Sequence, residues 1–265
     1  MRRHLFNISS CSNMLRYAAT RRELAGIIAR VYTQGQRAIV DYARENRPPQ
    51  EARIITETSK LLIDAIPGDS MFALKYTSFG SWLDPNGAHA AIDEIVNHGK
   101  QRGVKILIDA EDILYQDRCF ELMRRYNTRR DAHVFTTYQM YRERAMKELK
   151  TDIERATFRL GAKIVRGAYV GKQCGLFDTK EEVDRAYNEA VDVTLSARNV
   201  QTILATHNEE SLVRAKKYER NSYEIAQLMG FATPQADLIY VPTGSLRELA
   251  PYLLRRLIER FKWTP

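Results

Sequence analysis

Short apolar segments alternate with longer amphipathic segments along most of this chain, and this alternation restricts the fold more than any other feature. The amphipathic segments have helical spacing and lie at about 86–101, 113–127, 139–158 and 179–197. The short segments are apolar on both faces, which is typical of strands in a parallel sheet covered by helices. These predicted strands lie at 72–76, 104–109, 133–138, 162–166, 202–206, 223–228 and 238–241.

The order of these segments favours a closed (β/α) barrel, an α/β fold of the TIM type. No G-x-G-x-x-G motif follows any predicted strand, so a doubly wound dinucleotide-binding sheet is disfavoured. Before the barrel, apolar residues recur at helical spacing from residue 23 to about 44 and again over 52–66. Pro48 and Pro49 separate these two predicted helices. We therefore predict a helical segment over 23–66 and a barrel over 67–265.

Polar residues close or directly follow most of the predicted strands. In a (β/α) barrel, the carboxyl ends of the strands carry the catalytic groups. Each residue alone has a simpler explanation: Asp109, for example, could cap the helix that follows it. Their regular recurrence predicts a site at the mouth of the barrel, the end at which the carboxyl ends of the strands meet. The site is formed by Lys75, Asp109, Glu111, Gln139, Lys163, Arg166, Thr206, His207, Asn208 and Tyr240.

A second polar group lies near the C-terminus, where residues 251–259 are predicted to be helical. Tyr252, Arg255, Arg256 and Glu259 stand at i, i+3, i+4 and i+7 and therefore share one face. Two guanidinium groups suit a carboxylate, because each presents a planar fork of donors. This face is interpreted as the binding site of a small zwitterion, with a solvated Arg/Glu surface as the alternative. Ser245 and Pro251 are competing helix starts.

Charge and cysteine content restrict the partners. The net charge is +8, but basic and acidic residues alternate, so a nucleic-acid partner is not expected. The three cysteines have no metal-ligand spacing, and neither a metal site nor a disulfide framework is expected.

No apolar run reaches the roughly 18 residues of a membrane-spanning helix. Residues 1–22 contain five arginines and no acid, the composition of a mitochondrial targeting segment or of an ordinary basic helix.

Several motifs together resemble the proline dehydrogenase family, in the family's order and over roughly residues 70–260. They are Ala73-Leu-Lys75, Ile108-Asp-Ala-Glu111, Thr137-Tyr-Gln-Met-Tyr141, Lys163-Ile-Val-Arg-Gly-Ala-Tyr169, Ala205-Thr-His-Asn208, Tyr223-Glu-Ile-Ala-Gln-Leu-Met-Gly230, Tyr240-Val-Pro-x-Gly244 and Tyr252-Leu-Leu-Arg-Arg-Leu-x-Glu259.

The resemblance implies a distorted (β/α)8 barrel that binds FAD, oxidises L-proline to Δ1-pyrroline-5-carboxylate and passes electrons to a membrane quinone. It implies peripheral association with the inner membrane and a mitochondrial location, in the matrix or at the inner-membrane surface, with the cytoplasm as the alternative. By analogy, Asp109 and Lys163 are catalytic. The substrate-binding positions are Lys75, Leu228, Tyr240, Tyr252, Arg255, Arg256 and Glu259. The flavin-contacting positions are Ala110, Gln139, Arg166, Gly167, Ala168, Thr206 and His207.

The chain also departs from the family's pattern. Nine residues separate Gly230 from Tyr240, whereas a crossover between parallel strands usually needs about a dozen or more. We therefore expect the helix between these two strands to be missing or reduced to a turn, and a displaced Tyr240 would open the substrate pocket. A weakened or inactive flavin-binding homologue is one alternative. Hydroxyproline oxidation is another, against which the bulk of Tyr240 argues.

Overall fold

The computed structural model describes residues 17–110, 115–167 and 175–262, with side chains described as far as residue 254. The strands of this part of the chain are β1 (Ala19–Thr20), β2 (Arg37–Tyr42), β3 (Met71–Leu74), β4 (Lys105–Ile108), β5 (Val134–Gln139), β6 (Leu160–Val165), β7 (Val200–Ala205), β8 (Tyr223–Leu228) and β9 (Leu238–Gly244). Its helices are α1 (Leu24–Thr33), α2 (Ala52–Asp64), α3 (Pro85–Arg102), α4 (Gln116–Tyr126), α5 (Ala145–Arg155), α6 (Lys180–Ser196), α7 (Glu209–Ala215) and α8 (Leu246–Lys262).

Strands β2 to β9 of the described chain close into an eight-stranded parallel barrel. Each strand pairs with the next, and β9 pairs with both β8 and β2. The helices pack on the outside, where a large apolar cluster fills the space between them and the sheet. The predicted (β/α)8 class is confirmed, and each of the seven predicted strands overlaps an observed one. Among the described residues, no helix is both long and apolar enough to span a membrane.

The predicted helix from residue 23 to about 44 is wrong in its second half. Helix α1 ends at Thr33, and Gly35 has a φ of +73°, a left-handed conformation that terminates helices. Residues 37–42 then form β2, in which the β-branched pair Ile39 and Val40 favours an extended backbone. Because β2 pairs with β3 and β9, the segment before residue 67 supplies the eighth barrel strand.

Local signals set several of the other boundaries. The side chain of Asp84 accepts a hydrogen bond from the Gly87 backbone N–H and caps α3, and Gly103 ends that helix at a φ of +74°. Thr179 and Glu182 form a reciprocal capping box at the start of α6. At α8 the helix starts after Ser245, and Pro251 lies inside it.

The connection between β8 and β9 contains no helix. Residues 229–237, all of them described, form turns and irregular loop. The predicted loss of this barrel helix is therefore confirmed, and the barrel is irregular at this position.

Part of the expected targeting segment belongs to the fold. Residues 1–16 lie outside the described part of the chain, but β1 pairs with the end of β9 through Ala19 and Thr243. Ala18 and Ala19 are fully buried. A targeting segment that ended at residue 22 would include these buried residues, so the boundary at 22 stays a prediction.

Gly161 allows a close approach between β6 and β5 that a side chain would prevent. A Cβ built at Gly161 would lie 2.3 Å from the Val134 carbonyl oxygen, whereas a Cβ at Gly26 in α1 would meet nothing within 4 Å. We expect Gly161→Ala to lower the free energy of unfolding by about 1–3 kcal/mol, because overpacking forces backbone shifts. Gly26→Ala should raise it by about 0.5–1 kcal/mol, because alanine favours a helix interior. Urea unfolding of both variants measures this, and equal effects would contradict it.

Candidate active site

Alternate residues of each strand face the barrel axis and form two layers. The layer farther from the carboxyl ends of the strands is apolar and contains Ile39, Ala73, Leu107, Phe135 and Ile203. Because side chains in a strand alternate with a period of two, the next inward positions toward the carboxyl ends of most strands carry polar residues. We call these residues the mouth cluster: Asp41, Lys75, Asp109, Thr137, Lys163 and Tyr240.

The charged groups of the mouth cluster alternate in sign. Lys75 Nζ lies 2.5 Å from Asp41 Oδ1 and 3.8 Å from Asp109 Oδ2. Lys163 Nζ lies 2.5 Å from Asp109 Oδ1. Both lysine side chains are more than nine-tenths buried, and buried charges are tolerated when they are paired. The array therefore brings together three predicted site residues, Lys75, Asp109 and Lys163.

Tyr240 completes the cluster despite the short connection before it. It pairs in register with Ile39 of β2 and with Leu228 of β8, so the missing helix leaves it in the barrel wall. Its hydroxyl donates a hydrogen bond of 2.6 Å to Asp109 Oδ2. Lys163 Nζ lies 5.2 Å from the centre of its ring, within range of a cation–π interaction.

The protonation states follow from burial and charge. Burial alone would raise the pKa of Asp109, but Lys163, Lys75 and the Tyr240 hydroxyl outweigh it, and the pKa is lowered. Burial raises the pKa of Asp41 despite the neighbouring Lys75. The carboxylates overcome the burial of Lys75 and raise its pKa, so this amine stays charged. Burial and Asp109 raise the pKa of Tyr240, which keeps its hydroxyl as a donor.

A second polar group surrounds Arg166, directly after β6. Its guanidinium group donates to Asp184 Oδ1 at 2.6 Å, to Thr206 Oγ1 at 2.9 Å and to Ser211 Oγ at 3.0 Å. It also lies 4.2 Å from the centre of the Tyr187 ring. These contacts fix a permanent positive charge beside the mouth, and they join two predicted cofactor-contacting residues, Arg166 and Thr206.

Two more hydrogen bonds join predicted site residues in pairs. The Leu228 backbone N–H donates to His207 Nε2 at 3.2 Å. Burial lowers the pKa of His207, so its neutral ring carries the proton on Nδ1 and can donate from there. On the other side of the mouth, Gln139 Nε2 donates to the Ala110 carbonyl oxygen at 3.0 Å.

Gly167 occupies a position that only glycine tolerates. Its φ is +135°, and a Cβ there would lie 2.1 Å from Cδ1 of Tyr141. Ala168, the next predicted cofactor-contacting residue, lies outside the described residues.

The predicted carboxylate-binding face belongs to α8. Tyr252 packs beside a small apolar cluster formed by Ala18, Ala43, Leu249 and Leu253. The backbone of Arg255, Arg256 and Glu259 is helical, and their side chains lie outside what the structure describes.

Sequence reasoning missed Asp41, whose carboxylate is the direct partner of Lys75. It was assigned to a helix, although the Gly35 break and the Ile39-Val40 pair before it indicate a strand that ends at an acid. Glu45, 3.9 Å from Lys75, was also missed, because it falls in the connection between the two predicted helices.

Comparison with known proteins agrees with the fold and the motifs. The family model described as proline dehydrogenase matches residues 4–260. A mitochondrial proline dehydrogenase 1 of Dictyostelium discoideum is 31% identical over 208 residues, which cover 63% of this chain and 36% of that protein. The carbapenem antibiotics biosynthesis protein CarD of Pectobacterium carotovorum is 31% identical over 275 residues, covering 85% of this chain and 72% of that protein. The chain thus spans about a third of the first relative.

Solved structures share the barrel. Proline utilization A from Bdellovibrio bacteriovorus, inactivated by N-propargylglycine, superposes with a TM-score of 0.81 at 16% identity and covers 94% of this chain and 32% of that one. Proline utilization A from Corynebacterium freiburgense gives a TM-score of 0.78 at 18% identity and covers 96% of this chain and 31% of that one. At these identities the likeness concerns the fold.

The hydrogen bond from Tyr240 to Asp109 is open to a direct test with Tyr240→Phe. The folded-state pKa of Asp109 is lowered, so its contribution to stability is present above its unfolded pKa of about 3.9 and is lost as pH falls through the folded value. We expect the variant to lose about 1.5–3 kcal/mol near pH 7, because the bond is to a charged group. The difference from wild type should narrow below about pH 4.

Urea unfolding between pH 3 and 7 measures this effect. Tyr32→Phe is the matched control, because that hydroxyl donates to the exposed Asp69. A difference between Tyr240→Phe and wild type that is independent of pH would contradict the expectation.

Proposed function

Because the chain belongs to the proline dehydrogenase family, we propose that it oxidises L-proline to Δ1-pyrroline-5-carboxylate with FAD as the hydride acceptor. The observation that carries this proposal is the mouth cluster. Its alternating charges and the fixed ring of Tyr240 lie at the carboxyl ends of the barrel strands, where (β/α) barrels hold their substrates.

The substrate is a zwitterion with an apolar ring, and the proposed site offers both kinds of contact. Arg255 and Arg256 are the proposed ligands of its carboxylate, with Glu259 supporting them and Lys75 adding a buried cation. Tyr240, Tyr252 and Leu228 are the proposed walls of its ring, because apolar side chains suit a ring without polar atoms on its faces. Fixing the carboxylate holds the reacting carbon still at a point away from the bond that breaks.

The proposed reaction removes two electrons and two hydrogens. A hydride leaves the ring carbon that is bonded to the nitrogen and does not carry the carboxylate, a proton leaves the nitrogen, and a double bond forms between these two atoms. When bound, FAD would supply the acceptor of the hydride, and a quinone is the proposed final acceptor of the electrons. The catalytic pair proposed here is Asp109 and Lys163. Asp109 holds Lys163 in place. The positive charge of Lys163 would then stabilise the negative charge that develops on the hydride acceptor during hydride transfer.

The residues around Arg166 fit such a cofactor in their chemistry. Arg166 is a partly exposed cation that three hydrogen bonds hold in one orientation, which suits the phosphate or carbonyl oxygens of FAD. His207 has a donor left on Nδ1, and Gly167 keeps the backbone free of a side chain. Ala110, Gln139, Thr206 and Ala168 are the other proposed contacts, by analogy with the family.

The electron acceptor and the location are proposed on the same basis. Several relatives are mitochondrial proline dehydrogenases, those of Dictyostelium discoideum and Homo sapiens among them. We propose a mitochondrial location, in the matrix or at the inner-membrane surface, with the cytoplasm as the alternative. A net charge of +8 would favour peripheral binding to anionic lipid.

Hydroxyproline oxidation is the nearest alternative activity. The 2.6 Å bond to Asp109 fixes the ring of Tyr240 in the mouth, and a bulky wall leaves less room for an added hydroxyl group. We therefore favour proline, and turnover on the two substrates measured side by side distinguishes them.

Anaerobic addition of L-proline to FAD-loaded protein tests substrate, cofactor and carboxylate ligand together. We expect the flavin absorbance of the wild-type protein to bleach. Arg255→Ala should lose at least about 2 kcal/mol of substrate binding, because it removes one partner of a desolvated charge pair. Arg125→Ala, which removes an exposed arginine paired with Asp93, is the matched control and should bleach like wild type.

Two outcomes would argue against the proposal. Protein that shows no flavin absorbance after FAD is added would exclude the cofactor. Flavin that is bound but not bleached by proline would favour the weakened or inactive flavin-binding homologue.

A further inference from the structure

Beyond the end of β8, the N-terminal strand β1 pairs with the same edge of β9. The last pair between β8 and β9 joins Leu228 to Tyr240, and β1 then pairs with Thr243 and Gly244. On its other edge β9 remains paired with β2 as far as Thr243. The end of β9, from which α8 emerges, is therefore held on both sides.

Apolar contacts extend this support to the first two turns of α8. Leu249 and Leu253 of α8 pack with Ala18, next to β1, and with Ala43, just after β2. We call these four residues the rim cluster. Ala18 and Leu249 are fully buried. The rim cluster thus joins the start of α8 to both strands that flank β9.

Glu248, in the first turn of α8, makes the polar contacts of this junction. Its Oε1 accepts hydrogen bonds from Arg44 Nε at 2.7 Å and from the Tyr42 hydroxyl at 2.9 Å. Its Oε2 accepts from the Ser245 backbone N–H at 2.6 Å. Arg21 donates to the Tyr42 hydroxyl at 2.5 Å and lies 3.7 Å from Glu248.

Arg44 connects the junction to the segments that precede α2 and follow β3. Its Nη1 lies 2.5 Å from Glu51, directly before α2, and its carbonyl oxygen accepts a hydrogen bond from Ser78 Oγ. Arg44 and Glu248 are both largely buried, so their bonds are shielded from water. A Cβ at Gly244 would approach Glu248 Oε2 to 3.0 Å, so the carboxylate is packed closely against the end of β9.

We propose that Glu248 is a positioning residue for substrate binding: its bonds to Tyr42 and Arg44 set the direction in which α8 leaves the barrel, and thereby the place of Arg255 and Arg256. This inference rests on the proposed function. Arg255 follows Glu248 by two helical turns, about 10 Å along the axis. A tilt of about 6° at the first turn moves a point that far away by about 1 Å, which is enough to stretch a charged hydrogen bond of about 2.8 Å beyond bonding distance and so to weaken binding of the carboxylate.

The test compares Glu248→Ala with Glu248→Gln, which keeps an oxygen that accepts hydrogen bonds. The matched control is Asp192→Ala, because Asp192 is likewise bound by an arginine, Arg214, and by a tyrosine hydroxyl, that of Tyr218. Each FAD-loaded variant is assayed for KM and kcat with L-proline and a dye acceptor. Hydrogen exchange of the amides in 246–254 is measured without substrate, and the midpoint of thermal unfolding is recorded.

Positioning predicts a specific combination of results. In Glu248→Ala, KM should rise at least about tenfold, kcat should stay within about threefold, and exchange in 246–254 should accelerate. Glu248→Gln should recover part of the KM and of the protection from exchange. Asp192→Ala should keep the wild-type KM and the wild-type exchange in that segment.

Other results would overturn the inference. Unchanged KM and exchange in Glu248→Ala would show that α8 does not depend on this carboxylate. An equal loss of activity and thermal stability in Glu248→Ala and Asp192→Ala would reduce its role to general stability. Wild-type protein that does not oxidise proline would overturn the proposed function alone, since hydrogen exchange still reports whether Glu248 holds α8.

Discussion

Two buried ammonium groups dictate much of the architecture at the barrel mouth. An ammonium group in a dry interior must have a carboxylate within contact distance, and Lys75 and Lys163 obtain theirs from Asp41 and Asp109. These four residues come from β2, from the ends of β3 and β4 and from β6, so the charges meet only when β2 to β6 curve around one axis. Asp109 is shared between both lysines, which makes it the residue on which the array depends.

Strand β9 is the element that joins this array to the C-terminal helix. It carries Tyr240, whose hydroxyl binds Asp109, and it ends at Gly244, against which Glu248 packs. The short connection from β8 would leave the end of β9 with one open edge, and β1 occupies that edge. Loss of a helix on the outside of the barrel is thus offset by a strand from the other end of the chain. The charge array and the start of α8 are therefore both attached to β9, which is paired on both edges.

The sequence predicts the barrel well because its strands are apolar on both faces and its helices are amphipathic, and both are local patterns. It also predicts Lys75, Asp109, Lys163 and Tyr240 as mouth residues, because each stands at a strand end. It does not predict Asp41 or Glu248, since their roles depend on partners far away in the chain: Tyr42 and Glu248 are 206 residues apart. For the same reason a helix was predicted over β2, whose pairing with β9 overrides the local helical spacing.

Closure of the barrel by its first and last strands also has a consequence for synthesis on the ribosome. Strand β2 emerges early, but its partner β9 is made about 200 residues later, which at about 5–20 residues per second takes about 10–40 s. During that interval β2 has an unpaired edge, and such edges invite pairing with other chains. Until the final strand completes the ring, that edge of β2 is a site where the nascent chain is open to aggregation.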